Sequence, residues 1–176
     1  PGRGFLPPPT IPAKEIVWRY KVPFRSSNVT ASNAVDVQAA YESGMSLWGT
    51  IMGGVNLIEH AAGWLEGGLT ASFEKLILDA EMLQMMREFL NPIRIDEDSL
   101  GLDAIREVGP GGHFFGTGHT LARFEKAFYE PMLSDWRNFE NWQDTGSKTG
   151  TERANAIWKE LLRTYEPPPL DPGIAD

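Results

Sequence analysis

Glu59 and His60 interrupt a short apolar run, 56–62, that is followed by Gly63, Gly67 and Gly68. The run is too short for a helix and reads as a strand passing into a loop. A carboxylate and an imidazole are costly to bury in an apolar strand unless they are paired or open onto a cavity, so their place near the strand's C-terminal end marks the mouth of a site. The competing reading makes both residues core fixtures, hydrogen-bonded to each other or to backbone. Trp64 follows in the loop, as a site wall or as a cap over the rim of the fold, and Glu66 reads as a solvated loop charge.

A second constellation lies in Gly109–Thr120, GPGGHFFGTGHT, where glycines and a proline frame His113, Phe114 and Phe115. Glycine permits unusual backbone and close approach, so this is a candidate lid or binding loop. The alternative is a helix–helix connection with Phe114 and Phe115 as plugs. No Gly-Lys-Ser/Thr follows, which excludes a P-loop, and His60, His113 and His119 lack any recognised metal-ligand spacing.

Composition removes whole reaction classes. The 176 residues contain no cysteine, so disulfides, thiolate nucleophiles and Cys-ligated zinc or iron–sulfur clusters are excluded. A net charge of −8 disfavours phosphate backbones and anionic lipid as partners, so neither nucleic acid nor membrane is expected. The chain opens on Pro1 without a basic and then apolar leader. No apolar run reaches the roughly 18 residues that span a bilayer, so a cytoplasmic protein is expected.

The elements that must position these residues follow from periodicity. Pro7, Pro8 and Pro9 mark a loose Pro-rich arm over 1–14, expected to be disordered. Phe24–Val29 reads as a strand and its exit, and Asn33 as an N-cap with Asp36 three residues on. The helix that follows has an apolar stripe through Val37, Tyr41, Met45, Trp48 and Met52, the usual mark of a core face. Strand 56–62 comes next, then a helix from Phe73 that is apolar nearly all round and expected to be among the most buried. Strand, helix, strand, helix favours parallel pairing. Further helices are expected over Leu100–Val108, from Thr120 through Phe128, and from Thr151, whose face runs Ala154, Ile157, Trp158, Leu161, Leu162 and Tyr165. Trp136, Phe139 and Trp142 pin a short helix or turns in between.

Three long blocks carry a resemblance: EHAAGWLEGGLTASFEKLILDAEML from Glu59, LDAIREVGPGGHFFGTGHTLARFE from Leu102, and NWQDTGSKTGTERANAIWKELLRTYEPPPLDP from Asn141. In this order they resemble the C-terminal part of the trimethylamine:corrinoid methyltransferase family, over about Val22–Pro172. Members specific for trimethylamine carry pyrrolysine, and this chain of standard residues resembles the non-pyrrolysine branch. The Pro-rich opening does not resemble the family's corresponding segment.

The resemblance implies a helix-rich α/β fold, a partial (β/α)8 TIM barrel, because 176 residues fall short of the roughly 250 usual for the whole. The expected organisation is the arm at 1–14, barrel units at 15–133, an aromatic segment and helix at 134–166, and a tail at 167–176. The implied activity is methyl transfer from a quaternary or tertiary methylated amine, such as a betaine, to a corrinoid protein that carries the cobalamin, with no cofactor bound directly. Glu59 and His60 are then the candidate catalytic residues, with Trp64, His113, Phe114, Phe115 and Arg25 as candidate substrate contacts. Aromatic faces attract a quaternary ammonium, and Arg25 offers a bidentate contact to a substrate carboxylate. An incomplete barrel has open sheet edges, which predicts pairing with another copy or with a missing N-terminal part, or else poor stability; whether such a C-terminal fragment acts alone is left open by the resemblance. The alternative function is a non-catalytic remnant that serves assembly or interaction.

Overall fold

The computed structural model describes residues 10–169 and 173. The chain divides into two compact units, one from 1–83 with 133–176 and one from 84–132. Of the expected arm, residues 1–9 lie outside the described residues, and Thr10 already begins helix α1 (Thr10–Tyr20).

In the first unit, β1 (Arg25–Ser27), α2 (Val37–Met52) and β2 (Leu57–Glu59) form a strand–helix–strand unit whose strands pair in parallel, Arg25 opposite Leu57 and Ser27 opposite Glu59. The parallel pairing expected from element order is therefore present, but each strand is only three residues long. The start of β2 is fixed by Asn56, whose backbone N–H donates to the Phe24 carbonyl at 2.8 Å and whose Oδ1 accepts the Phe24 N–H at 2.9 Å.

Helix α2 begins at Asp36 rather than at Asn33. The Asp36 carboxylate accepts the Gln38 and Ala39 N–H groups at 2.9 and 3.2 Å, which satisfies two of the orphan donors of a helix start. Its buried face also corrects the sequence reading. Ala39, Glu42, Ser43, Ser46, Leu47 and Thr50 are buried, while the apolar stripe at Val37, Tyr41, Met45, Trp48 and Met52 is exposed. Polar chemistry decides the face. Glu42 accepts the Ala31 and Ser32 N–H groups at 2.7 and 3.1 Å and the Gln38 amide at 2.8 Å, and Thr50 Oγ1 donates to Ser26 Oγ at 3.2 Å. These bonds tie α2 to β1 and to the loop after it, and turn the stripe outward.

After β2 comes a hairpin, β3 (Trp64–Leu65) and β4 (Thr70–Ala71), antiparallel around a 3-10 turn at Glu66–Gly68. It occupies the stretch expected to be a plain loop. Glu66 is exposed, as expected, and accepts the Thr70 hydroxyl at 3.0 Å.

Helix α3 (Phe73–Leu90) is not the buried apolar rod its composition suggested. Its buried residues are Lys75, Ile77, Asp79 and Glu81, and Phe73, Leu76, Met85 and Phe89 are exposed. Three of those four are ionisable, and each is held by partners. Glu81 accepts the Leu133 and Ser134 N–H groups and the Ser134 hydroxyl, which joins the helix to the returning chain. Beside it, Ile77, Leu133 and Ala154 form a small core onto which Leu78, Ile157 and Trp158 pack.

Helix α8 (Gly150–Thr164) opens on a capping box between Thr149 and Glu152. Its expected face is buried at Ala154 and half-buried at Ile157 and Trp158; Leu161, Leu162 and Tyr165 are exposed. The short helix expected among the aromatics is α7 (Phe139–Asp144), with Trp142 Nε1 donating to the Lys148 carbonyl at 3.1 Å. Pro167–Pro169 follow, and the rest of the expected tail apart from Gly173 lies outside the described residues.

In the second unit, the helix expected from Leu100 to Val108 is two: α4 (Glu97–Leu100), capped by Asp96, and α5 (Leu102–Val108). Gly101, left-handed at φ 61°, separates them. α6 (Gly118–Leu121) is capped by Thr117 and gives way to turns, so no helix runs to Phe128. Arg123 pairs with Asp98, and the His119 ring donates to the Asp98 carbonyl at 2.9 Å. Among the described residues no helix is long and apolar enough to cross a membrane.

Candidate functional site

The segment 59–64 leaves the parallel pair and turns into the hairpin. Glu59 ends β2 and is half-buried; its carboxylate forms an ion pair with Arg25 at the start of β1. Ser26 is hydrogen-bonded to α2, so by strand alternation Arg25, Ser27, Leu57 and Glu59 occupy the opposite sheet face, where Leu57 and Arg25 are exposed. Both charges of the pair remain in contact with water. An exposed pair of this kind contributes about 0–1 kcal/mol to stability, which leaves both groups available to a charged ligand.

His60 follows at φ 53°, a left-handed conformation that costs a non-glycine residue about 1–3 kcal/mol unless the surroundings impose it. The turn directs the imidazole at Trp64, with ring centroids 5.0 Å apart and planes at 85°. This edge-to-face geometry is the favourable one for two aromatic rings. Trp64 also lines an open, mainly apolar cleft of about 250 Å³ with Gly63, Ala71, Ser72, Phe73 and Leu76. One indole thus belongs both to the imidazole contact and to the cleft wall.

The backbone beneath these side chains is tethered residue by residue. Asn28 Nδ2 donates to the Ala61 carbonyl at 2.8 Å, and Thr30 Oγ1 donates to the Trp64 carbonyl at 3.1 Å. Gly63 donates its N–H to Asp79 at 2.9 Å and accepts the Ser72 N–H at 2.9 Å. At φ +90° Gly63 adopts a conformation that L side chains resist, and a Cβ there would sit 3.4 Å from Leu76 Cβ. Asp79 is bound in turn by Lys75, whose Nζ donates at 2.6 Å to both carboxylate oxygens and at 2.7 Å to Ser43 Oγ. Lys75 and Asp79 are each 1% exposed.

The other cleft wall is also supported. Phe73 stacks on Trp158 with centroids 4.9 Å apart. Trp158 Nε1 donates to Glu74 at 2.8 Å and Asn155 Nδ2 donates to the same oxygen at 2.7 Å. Those two bonds are the main reason that the Glu74 carboxyl is held down at about 2, with its own backbone N–H and the Ser72 hydroxyl adding to the effect.

Of the residues read from the sequence, the structure joins Arg25 to Glu59 and His60 to Trp64 in the first unit. Glu59 and His60 are bonded neither deep in a core nor to each other, so the fixture reading is replaced by a cross-strand pair and a ring contact. His113, Phe114 and Phe115 belong to the second unit, where the rings of His113 and Phe115 lie 5.5 Å apart. All three are exposed, so Phe114 and Phe115 are not plugs within that unit. Sequence reasoning missed Asn28, Thr30, Lys75 and Asp79. The available signal was the i, i+4 spacing of Lys75 and Asp79, two opposite charges on one face of α3. Among the described residues no group of three or more His, Asp or Glu is placed to hold a metal ion.

Comparison with known proteins gives this geometry a family. A family model described as trimethylamine methyltransferase (MTTB) matches residues 11–176. A glycine betaine methyltransferase of Desulfitobacterium hafniense (strain Y51) is 40% identical over 156 residues, covering 88% of this chain and 32% of the relative. Trimethylamine methyltransferase MttB of D. hafniense (strain DSM 10664 / DCB-2) is 33% identical, covering 82% of this chain and 29% of its own length. MttB2 of Methanosarcina mazei is 32% identical, with 79% and 28% covered. The chain spans about a third of the length of the curated relatives it matches. With the family model matching nearly the whole of these 176 residues, the chain belongs to the trimethylamine methyltransferase family.

Proposed function

We propose that this chain takes part in methyl transfer from a quaternary or tertiary methylated amine, and that segment 59–64 with its cleft recognises the amine. The observation that carries the reading is Trp64, an indole that walls an apolar cleft and is held there by backbone bonds on both sides. A methylated ammonium needs such a surface. It is a cation without a hydrogen-bond donor in the quaternary case, and an aromatic face attracts it by about 0.5–2 kcal/mol.

The Arg25–Glu59 pair adds charge recognition to that surface. A betaine is a zwitterion, so its carboxylate can replace Glu59 at the Arg25 guanidinium while its ammonium gains the released Glu59 carboxylate. A simple methylated amine lacks the first interaction. This favours a betaine as the amine, in keeping with the name of the relative at 40% identity.

In the transfer the methyl carbon leaves nitrogen, and the electron pair of the broken bond stays on the amine, which departs as a neutral molecule when the donor is quaternary. The leaving group then requires no proton from Glu59 or His60, whose work is to bind and orient. In this reading a partner protein carries the corrinoid, whose reduced cobalt supplies the nucleophile for the methyl group. The β1–α2–β2 unit is, on the same reading, one strand–helix–strand step of a (β/α)8 barrel, with Glu59 and His60 at the strand's C-terminal end where such folds place their sites. The exposed stripe of α2 favours a second reading, an assembly surface.

Isothermal titration calorimetry with glycine betaine, tetramethylammonium, trimethylamine and glycine tests the amine site. The reading expects methylated cations to bind and glycine to fail. Equal binding of glycine, or heat from none of the four, overturns it.

A further inference from the structure

The geometry points to Lys75 and Asp79 as positioning residues that hold the Gly63 turn, and with it Trp64, in the shape that receives a methylated ammonium. The inference rests on the reading of segment 59–64 as the amine site. It goes further in assigning a task to two buried charges that do not themselves line the cleft.

Two opposite charges that are each 1% exposed need a reason to be inside a protein. Removing them from water costs several kcal/mol per ion, and a well-packed apolar pair of similar volume is often neutral or stabilising by about 1–4 kcal/mol. Stability alone therefore does not account for the pair. Its hydrogen bonds have a direction that does. Lys75 Nζ, itself held by Ser43 on α2 at 2.7 Å, donates to both Asp79 oxygens at 2.6 Å, so turning the carboxylate away disturbs both of its contacts to Lys75. The fixed Asp79 Oδ2 then accepts the Gly63 N–H at 2.9 Å.

Gly63 is where that bond has most effect. The residue sits at φ +90°, borders the cleft, and immediately precedes Trp64. Its neighbours at Ala61 and Trp64 are tied through their carbonyls to Asn28 and Thr30, which both follow β1. Asp79 thus supplies a tether from α3 that the side chains beyond β1 do not. Without it the peptide between Ala62 and Gly63 is free to rotate, and the indole loses its registry with both His60 and the cleft. The tethers act together as a rigid support for one exposed ring, as a binding site for a small cation requires.

The test replaces the pair by apolar residues of similar volume, Lys75→Met with Asp79→Leu, so that no lone charge remains buried; Asp79→Asn, made in the Lys75→Met background for the same reason, keeps an acceptor for the Gly63 N–H and serves as the conservative comparison. Two readouts are taken on folded protein, verified by circular dichroism. The first is NMR: Gly63 amide exchange and the ring-current shifts of the His60 ring protons. In the double variant the Gly63 amide is expected to lose protection and the His60 shifts to move toward those of a free imidazole, with Asp79→Asn intermediate. The second is calorimetry with tetramethylammonium, where affinity is expected to fall within the roughly 2- to 30-fold that loss of one aromatic contact removes. If the double variant keeps the His60 shifts and the affinity of the parent while only its melting temperature changes, the pair is structural and the inference is overturned. If the parent itself binds no methylated ammonium, the amine reading fails, and the NMR arm still decides whether Lys75 and Asp79 set the turn.

Discussion

His60 and Trp64 meet edge to face, with ring centroids 5.0 Å apart and planes at 85°, across a turn whose backbone is bonded to both β1's exit loop and α3. The contact gives the indole a defined orientation and leaves it on the wall of an open cleft. The proposed recognition of a methylated ammonium rests on that placement, and the residues around it set its measurable consequences.

Trp64→Ala removes the aromatic wall and should weaken tetramethylammonium binding about 2- to 30-fold, the range corresponding to 0.5–2 kcal/mol. Trp64→Phe should retain most of the affinity. His60→Ala should have a smaller effect, through orientation of the indole. Calorimetry on the three variants checks the order.

Arg25 should sort ligands by charge type. Arg25→Gln removes the guanidinium expected to take a carboxylate, so glycine betaine should bind more weakly while tetramethylammonium binds at least as well, because Glu59 is released from its partner. Stability should change by less than about 1 kcal/mol, since the pair is exposed. Equal losses for both ligands would remove Arg25 from carboxylate recognition.

Gly63→Ala should destabilise the protein by about 1–3 kcal/mol, because the residue sits at φ +90°, a conformation that a side chain on Cα resists. Chemical denaturation measures it. A change within 0.5 kcal/mol would mean that the turn relaxes without penalty, in contrast to surface-like tolerance expected only away from special backbone.

Glu74 should make stability fall in acid. Its folded pKa is depressed from 4.5 to about 2 by hydrogen bonds from Asn155 and Trp158. A depressed carboxyl stabilises the fold above its unfolded pKa, and that contribution is lost as pH falls through the folded value. The stability difference between the parent and Glu74→Gln should therefore be constant above about pH 5 and shrink between 4.5 and 2. Melting curves across that interval supply the comparison; a difference that does not vary with pH would contradict the Asn155 and Trp158 contacts.

Element order and the grouping of polar and aromatic residues at 59–64 were legible in the sequence, and burial was not. The parallel β1–α2–β2 unit follows from alternating strand and helix signals, and Glu59, His60 and Trp64 stand out because polar and aromatic residues break an apolar run before glycines. The α2 stripe misled because periodicity reports only that a helix has two faces. The face toward β1 was chosen by Glu42, Ser46 and Thr50, and Glu42 and Thr50 bond to groups that hydropathy does not register. The same holds for α3, where Lys75, Asp79 and Glu81 are the buried residues because each finds a partner distant in sequence or on the next helical turn. The short hairpin at Trp64–Ala71 was hidden by its glycines, which signal a turn without showing what it connects.

The central claim is that this chain contributes an amine-recognising surface to methyl transfer, and methyl transfer itself tests it most directly. The chain and a full-length relative are each incubated with reduced cobalamin and glycine betaine, trimethylamine or tetramethylammonium, and methylcobalamin is followed by its absorbance, with Glu59→Gln and Trp64→Ala at the matched positions of both proteins. The account predicts methylcobalamin formation that depends on a methylated amine and falls sharply in both variants. Transfer that is unchanged in both variants, or absent with every methylated amine in both proteins, would contradict it.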